Sequence, residues 1–240
     1  MHLLSDLKVH LYADGADIAG IKALAALPHI KGFTTNPSLM RKAGVTDYRA
    51  YATEVLPIIR DKPISFEVFA DDLPTMEAQA RIITTWGPSI YVKIPVINTQ
   101  GQSTAPIIKS LSAAGIKLNI TAIFTLEQVA EVAEALAIGT PALVSVFAGR
   151  LADTGIDPLP IMQATLTLLS CKPQAKLLWA ATREVFNLIQ ADRIGCPIIT
   201  VPNDILGKLG NLGREPLESS LDTVRTFLKD TQAAGFTIPS

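Results

Sequence analysis

The sequence predicts an α/β chain closed into a single (β/α)8 barrel, a TIM barrel, with an extra C-terminal helix. Three observations predict it. Short apolar, β-branched runs alternate with longer segments of helical period along the whole chain, as the strand–helix–strand units of a parallel sheet require. Eight such runs fit into 240 residues, whereas a doubly wound sheet rarely needs eight units in that length. No linker, low-complexity segment or change of composition interrupts them, so residues 1–240 read as one domain.

The first run, 9–13, leads into Asp14 and then a helical segment over 18–27. The second, 32–35, runs into Thr34-Thr35-Asn36; Asn36-Pro37-Ser38 has turn chemistry, and a helix follows over 48–59. The third, 64–69, carries Glu67 between Phe66 and Val68 and precedes a helix over 74–85. The fourth, 90–94, carries Lys93 and precedes a helix over 104–114. The fifth, 117–122, carries Asn119 and Thr121 and leads to a helix over 126–137. The sixth, 142–147, carries Ser145 and Phe147, with Arg150 just beyond and a helix over 160–169. The seventh, 176–180, runs into Thr182-Arg183 and a helix over 182–191; the eighth spans 197–201. Pro74, Pro106 and Pro160 stand at helix starts, where a missing N–H costs nothing. Gly-rich segments 153–158 and 205–214 read as mobile loops, and a last helix begins after Pro216 and runs to about 233.

Composition narrows the function. The chain is 48% hydrophobic and 18% charged with net charge −1. Nucleic acid and anionic membrane surfaces, which call for a basic excess, are therefore not expected partners. No apolar stretch reaches the length of a membrane span. Residues 1–10 mix Asp6 and Lys8 among apolar residues and lack the core of a signal peptide. Cys171 and Cys196 form no CxxC pair, which suits a reducing cytoplasm. His2, His10 and His29 have no partners at metal-ligand spacing, so neither a zinc site nor a histidine-based triad is expected, and nothing in the sequence implies a cofactor.

Lys93 is the most informative residue. It interrupts the run Ile90-Tyr91-Val92-Lys93-Ile94-Pro95-Val96, bounded by Gly87-Pro88 and Asn98. Inside a buried strand, desolvation disfavours an ammonium, and a neutral amine is what Schiff-base chemistry on a carbonyl needs. The alternative is a head group that reaches water or pairs with a carboxylate.

Barrel chemistry sits at the C-terminal strand ends, and polar side chains collect there from seven runs. Each has an ordinary reading. Asp14 is placed to cap the following helix; Asn36 belongs to a turn; Glu67 has surface lysines to pair with. Thr121 is a good strand former, and Arg150 and Arg183 stand where loop cations often stand. Jointly, an inward-facing lysine, two carboxylates, an asparagine and a threonine are hard to bury without a ligand or a purpose.

These same segments carry a resemblance. Leu11-Tyr12-Ala13-Asp14-Gly15-Ala16-Asp17, Gly32-Phe33-Thr34-Thr35-Asn36-Pro37-Ser38-Leu39, Tyr91-Val92-Lys93-Ile94-Pro95, Asn119-Ile120-Thr121-Ala122-Ile123-Phe124 and Ser145-Val146-Phe147-Ala148-Gly149-Arg150 together resemble the transaldolase family, in order and spacing, over nearly the whole chain. The size is similar to that of its short members, which include fructose-6-phosphate aldolase. The resemblance implies Lys93 as the Schiff-base lysine, Asp14 as general acid/base, and Glu67 with Thr121 holding a catalytic water. It implies Asn36 and Ser145 on the dihydroxyacetone hydroxyls and Arg150 and Arg183 on a sugar phosphate. Thr34, Asn119 and Phe147 complete the substrate-facing set. Glu67 and Phe147 are the transaldolase-type residues where the aldolase branch has glutamine and tyrosine, so group transfer is favoured over plain cleavage. Free-dihydroxyacetone release by an aldolase and a non-catalytic sugar-phosphate-binding barrel are the competing readings. The family's usual Ala-Ser-Phe-Arg is here Ala180-Ala181-Thr182-Arg183, which lacks one hydroxyl unless Thr182 supplies it. That leaves phosphate, sulfonate or no anion open for the donor.

The last helix spaces Leu217, Leu221, Val224 and Leu228 as one apolar stripe. Packing on its own barrel is the favoured reading and a partner surface the alternative; the resemblance implies a homo-oligomer built with this helix.

Overall fold

The computed structural model describes residues 4–238, so His2 lies outside the described residues. Eight strands form a closed parallel barrel in chain order: β1 (His10–Asp14), β2 (Ile30–Thr34), β3 (Ile64–Glu67), β4 (Ile90–Pro95), β5 (Leu118–Ile123), β6 (Ala142–Val146), β7 (Ala175–Trp179) and β8 (Ile198–Pro202), with β8 pairing back onto β1. The predicted (β/α)8 architecture with a C-terminal helix is the observed one.

Alternation along each strand explains both the core and the site. Outward residues such as Phe33, Phe66, Ile94, Val144 and Trp179 have no exposed surface and pack beneath the helices, each stabilising the fold by about 1.5–3 kcal/mol. Inward residues divide by height. Tyr12, Tyr91, Leu143, Leu178 and Ile198 form a separate apolar cluster that closes the barrel floor. A Cβ on Gly32 would come within 2.6 Å of the Tyr12 ring, so the glycine makes room for that floor. Nearer the mouth the inward residues are polar, because this layer meets an open cavity instead of packed side chains.

Helices follow the strands: α1 (Ile18–Ala25), α2 (Pro37–Lys42), α3 (Tyr48–Ile59), α4 (Leu73–Ile83), α5 (Ala105–Ala113), α6 (Leu126–Ala135), α7 (Ala148–Asp153), α8 (Leu159–Leu169), α9 (Phe186–Arg193), α10 (Asn203–Leu206) and α11 (Pro216–Ala234). Asp17, Asp47 and Asp72 accept from the first-turn amides of α1, α3 and α4. Thr125 and Gln128 close a capping box on α6. Each cap contributes about 1 kcal/mol.

Four expectations change. The turn at Asn36-Pro37-Ser38 opens a helix: Asn36 Oδ1 accepts from Leu39 N at 3.0 Å and caps α2. Arg150 lies on α7, a helix in its own right rather than a loop. The segment 205–214 is folded into the end of α10 and a 3-10 turn, Leu209–Asn211, with Ile205 and Leu209 buried. And α11 has no buried residue: Leu217 is 72% exposed and Val224 60%. Its apolar stripe does not pack on its own barrel. Ion pairs of Arg214 and Arg225 with Asp222 support the helix from the polar side instead.

Candidate active site

The cavity at the C-terminal ends of the strands has a volume of about 460 Å³ and is lined by all eleven candidate residues: Asp14, Thr34, Asn36, Glu67, Lys93, Asn119, Thr121, Ser145, Phe147, Arg150 and Arg183. Register brings the first group together. Glu67 and Lys93 are direct partners across β3 and β4, and Asp14 and Thr34 across β1 and β2. Neighbours in register point to the same side of a parallel sheet, so each pair enters the barrel together.

Lys93 is buried, with 7% of its surface exposed. Its Nζ lies 3.1 Å from Glu67 Oε2 and donates to the Thr35 carbonyl at 3.0 Å. The sequence alternative of a carboxylate-paired lysine is thus what the structure holds, but the pair faces the interior cavity and not the surface. Asp14 accepts from Thr34 Oγ1 at 2.7 Å, and Thr34 in turn meets Thr200. Burial pushes the Asp14 carboxyl above the usual carboxylate range; Lys93 and the Thr34 hydroxyl oppose this without reversing it. The N-cap of α1 is Asp17, so Asp14 is left to the cavity.

β5 carries a bulge where its pairing with β6 shifts register between Ile120 and Ile123, and Ala122 takes a positive φ of 58°. A bulge re-aims the side chains beside it. Thr121 Oγ1 is buried and has no hydrogen-bond partner among the described residues. Ser145 Oγ donates to Asn119 Oδ1 at 2.6 Å, and Asn119 Nδ2 donates to Ser65 Oγ at 2.8 Å. This chain of bonds spans β6, β5 and β3 and fixes which edge of the Asn119 amide faces which strand.

The far side of the cavity is cationic. Arg150 stacks over the Phe147 ring at 5.0 Å, and Phe147 packs on Phe124. Arg183 is held by Asp153, with Nε 3.1 Å from both carboxylate oxygens and Nη2 also bonded to Oδ2. Both side chains of that pair are about half exposed. A Cβ on Gly149 would sit 1.6 Å from the Ala181 carbonyl oxygen, so only glycine lets α7 close onto the turn after β7. Ala181 sits at a φ of 60° in that turn. The hydroxyl absent at Ala181 is not supplied by Thr182, whose Oγ1 is buried and donates to the Thr200 carbonyl at 2.7 Å.

Sequence reasoning missed Ser65, Thr200, Asp153 and Tyr48. Ser65 and Thr200 were within reach, since each lies on the inward phase of its strand. Asp153 needed α7 to be recognised, because only a helix turn sets it three residues from Arg150 on one side. Tyr48 meets the site only through the tertiary fold. Among the described residues, no three His, Cys, Asp or Glu side chains come together as a metal site.

A family model described as Transaldolase/Fructose-6-phosphate aldolase matches residues 11–239. The chain is 34% identical over 223 residues to a Methanococcus maripaludis protein named "Probable transaldolase", covering 92% of this chain and 97% of that one. It is 33% identical over 228 residues to a Thermoanaerobacter protein of the same name, covering 95% and 99%. A crystal structure from Burkholderia cenocepacia J2315 superposes with a TM-score of 0.56 over 92% of this chain and 94% of that one, at 14% identity, a likeness of fold alone.

Proposed function

The chain belongs to the Transaldolase/Fructose-6-phosphate aldolase family, and from that premise we propose that it transfers a dihydroxyacetone unit from a ketose phosphate to an aldose acceptor through a Schiff base on Lys93. The observation that carries this reading is the buried Lys93 amine, 3.1 Å from Glu67, inside a cavity that Asp14 also lines.

The chemistry follows from those groups. The Lys93 amine adds to the donor carbonyl, and the carbinolamine loses water to leave an iminium. Glu67, beside the nitrogen, and Thr121, with an unsatisfied hydroxyl, are assigned to the water that moves these protons. The iminium is an electron sink. Asp14 takes the proton of the hydroxyl next to the breaking carbon–carbon bond, an aldehyde leaves, and an enamine stays on Lys93. The acceptor aldehyde is then attacked by the enamine, Asp14 returns its proton, and hydrolysis frees the lysine. A carboxyl raised above its ordinary range by burial holds a proton more readily than a free carboxylate, which suits a group that must take one up and return it. Asn36 and Ser145 are assigned to the donor hydroxyls, and Arg150 and Arg183 to its anion, since guanidinium forks fit oxyanions.

Phe147 favours transfer over cleavage: it has no hydroxyl with which to protonate the enamine. Free dihydroxyacetone appearing at the rate of donor loss, with no acceptor present, would establish the aldolase reading instead. The decisive test is a screen of donor ketoses, with and without phosphate, reduced with borohydride and analysed by mass. A covalent adduct on Lys93 is expected; its absence with every ketose would leave a sugar-phosphate binder. The exposed stripe of α11 supports a homo-oligomer formed through that helix. Two unpaired cysteines fit a cytoplasmic setting; among the described residues no helix is long and apolar enough to cross a membrane.

A further inference from the structure

Tyr48, the first residue of α3, reaches the back of the Lys93 corner. Its hydroxyl accepts from the Glu67 N–H at 2.7 Å and lies 3.2 Å from the Glu67 carbonyl oxygen. The ring packs edge-on against Phe66 and Trp86, and Phe69 lies against it. Burial raises the phenol's pKa, so the group stays a hydroxyl.

What this hydroxyl replaces is visible in the strand register. β2 and β3 pair as Phe33 with Ile64 and Thr34 with Ser65, and there the pairing stops. The next rung of a parallel ladder in this register would run from the Glu67 N–H to the Thr35 carbonyl. Instead, that carbonyl accepts from Lys93 Nζ at 3.0 Å, and the Glu67 N–H goes to Tyr48. A buried N–H without an acceptor is costly. Without the phenol it would compete with Lys93 for the Thr35 carbonyl.

Building on the Schiff-base reading, we infer that Tyr48 is a positioning residue: its hydroxyl stands in for one rung of the β2–β3 ladder and so releases the Thr35 carbonyl to hold the Lys93 amine beside Glu67. Tyr48 touches no reacting atom; it acts through the two groups that seat the amine.

The test is Tyr48→Phe, which keeps the ring and removes the hydroxyl. Imine formation at saturating donor, followed by borohydride trapping, is expected to slow by about tenfold or more, as small misplacements of a reacting group do. KM should change far less than kcat. Trp86→Phe is the control: it disturbs the same aromatic cluster, should lower the unfolding temperature at least as much, and should leave the imine rate near wild type. If Tyr48→Phe does not fold, 3-fluorotyrosine at position 48, a weaker acceptor of similar shape, should slow imine formation in the same direction by a smaller factor. Wild-type rates in the hydroxyl variants, or equal slowing by Trp86→Phe, would overturn the inference. Failure of the wild-type protein to trap any donor would instead overturn the Schiff-base reading itself.

Discussion

Two ion pairs stand on opposite sides of one cavity and differ in nearly every respect. Lys93 and Glu67 have side chains only 9% and 16% exposed, and the β3–β4 register fixes them. Arg183 and Asp153 are 47% and 51% exposed and come from a loop and the end of a short helix. The first lies where water is scarce, so each charge depends on the other and on the Thr35 carbonyl. The second is solvated and contributes little to stability, so under the proposed function an incoming anion would trade places with Asp153. Under that reading, one cavity would combine a fixed end for chemistry with an exchangeable end for recognition.

The strongest challenge to this contrast is Lys93→Ala. It should abolish turnover and borohydride trapping, and Lys93→Arg should not rescue either, because guanidinium stays protonated. Removing one partner of a buried pair costs about 3–5 kcal/mol; because Glu67 opens onto the cavity, the lower end is expected, read by denaturant unfolding.

Asp14→Asn comes next. Loss of a general acid/base should lower kcat by about 10²–10⁴-fold. Its effect on stability has the opposite sign. A carboxyl whose folded pKa is raised contributes stability below the ordinary carboxylate range and loses it as pH rises through the folded value. Asparagine cannot ionise, so the variant should melt above wild type at neutral pH, and the difference should vanish in acid. A variant less stable than wild type at both pH values would show that Asp14 is not held against its own ionisation.

At the exchangeable end, Asp153→Asn should change KM for phosphorylated donors by roughly three- to tenfold, a range set by one guanidinium contact. Unphosphorylated donors should be nearly unaffected, and the melting temperature should hardly move. If the two donor classes respond alike, the corner is structural and not a recognition site. The smallest effect is expected from Phe147→Tyr. Transfer should persist, with a measurable share of donor now released as free dihydroxyacetone in the absence of acceptor.

The same contrast marks what the sequence made legible. The eight strands stood out because their outward residues are large and apolar, such as Ile64 and Phe66 on β3 and Leu118 and Ile120 on β5, all fully buried. Lys93, Glu67 and Asp14 were legible for the opposite reason: charge on the inward phase of an apolar strand has few ordinary explanations. The rest was hidden where the deciding contact is long-range. Thr182 looks like a substitute hydroxyl in sequence, but the turn at Ala181 sends it to the Thr200 carbonyl. Tyr48 looks like any helix-start aromatic until the broken ladder beside it is seen. The stripe of α11 was readable, but its exposure was not, because an amphipathic period is the same whether the helix packs at home or elsewhere.

The apolar floor made by Tyr12, Tyr91, Leu143, Leu178 and Ile198 sets an order of events. The barrel is a cup and not a tube, with the Lys93 amine buried inside it. Whatever enters must leave by the way it came. A transfer carried out there handles its partners in turn: the first aldehyde has to depart before the second arrives, while the three-carbon unit waits at the bottom. Initial-velocity plots against donor at several acceptor concentrations should therefore give parallel lines.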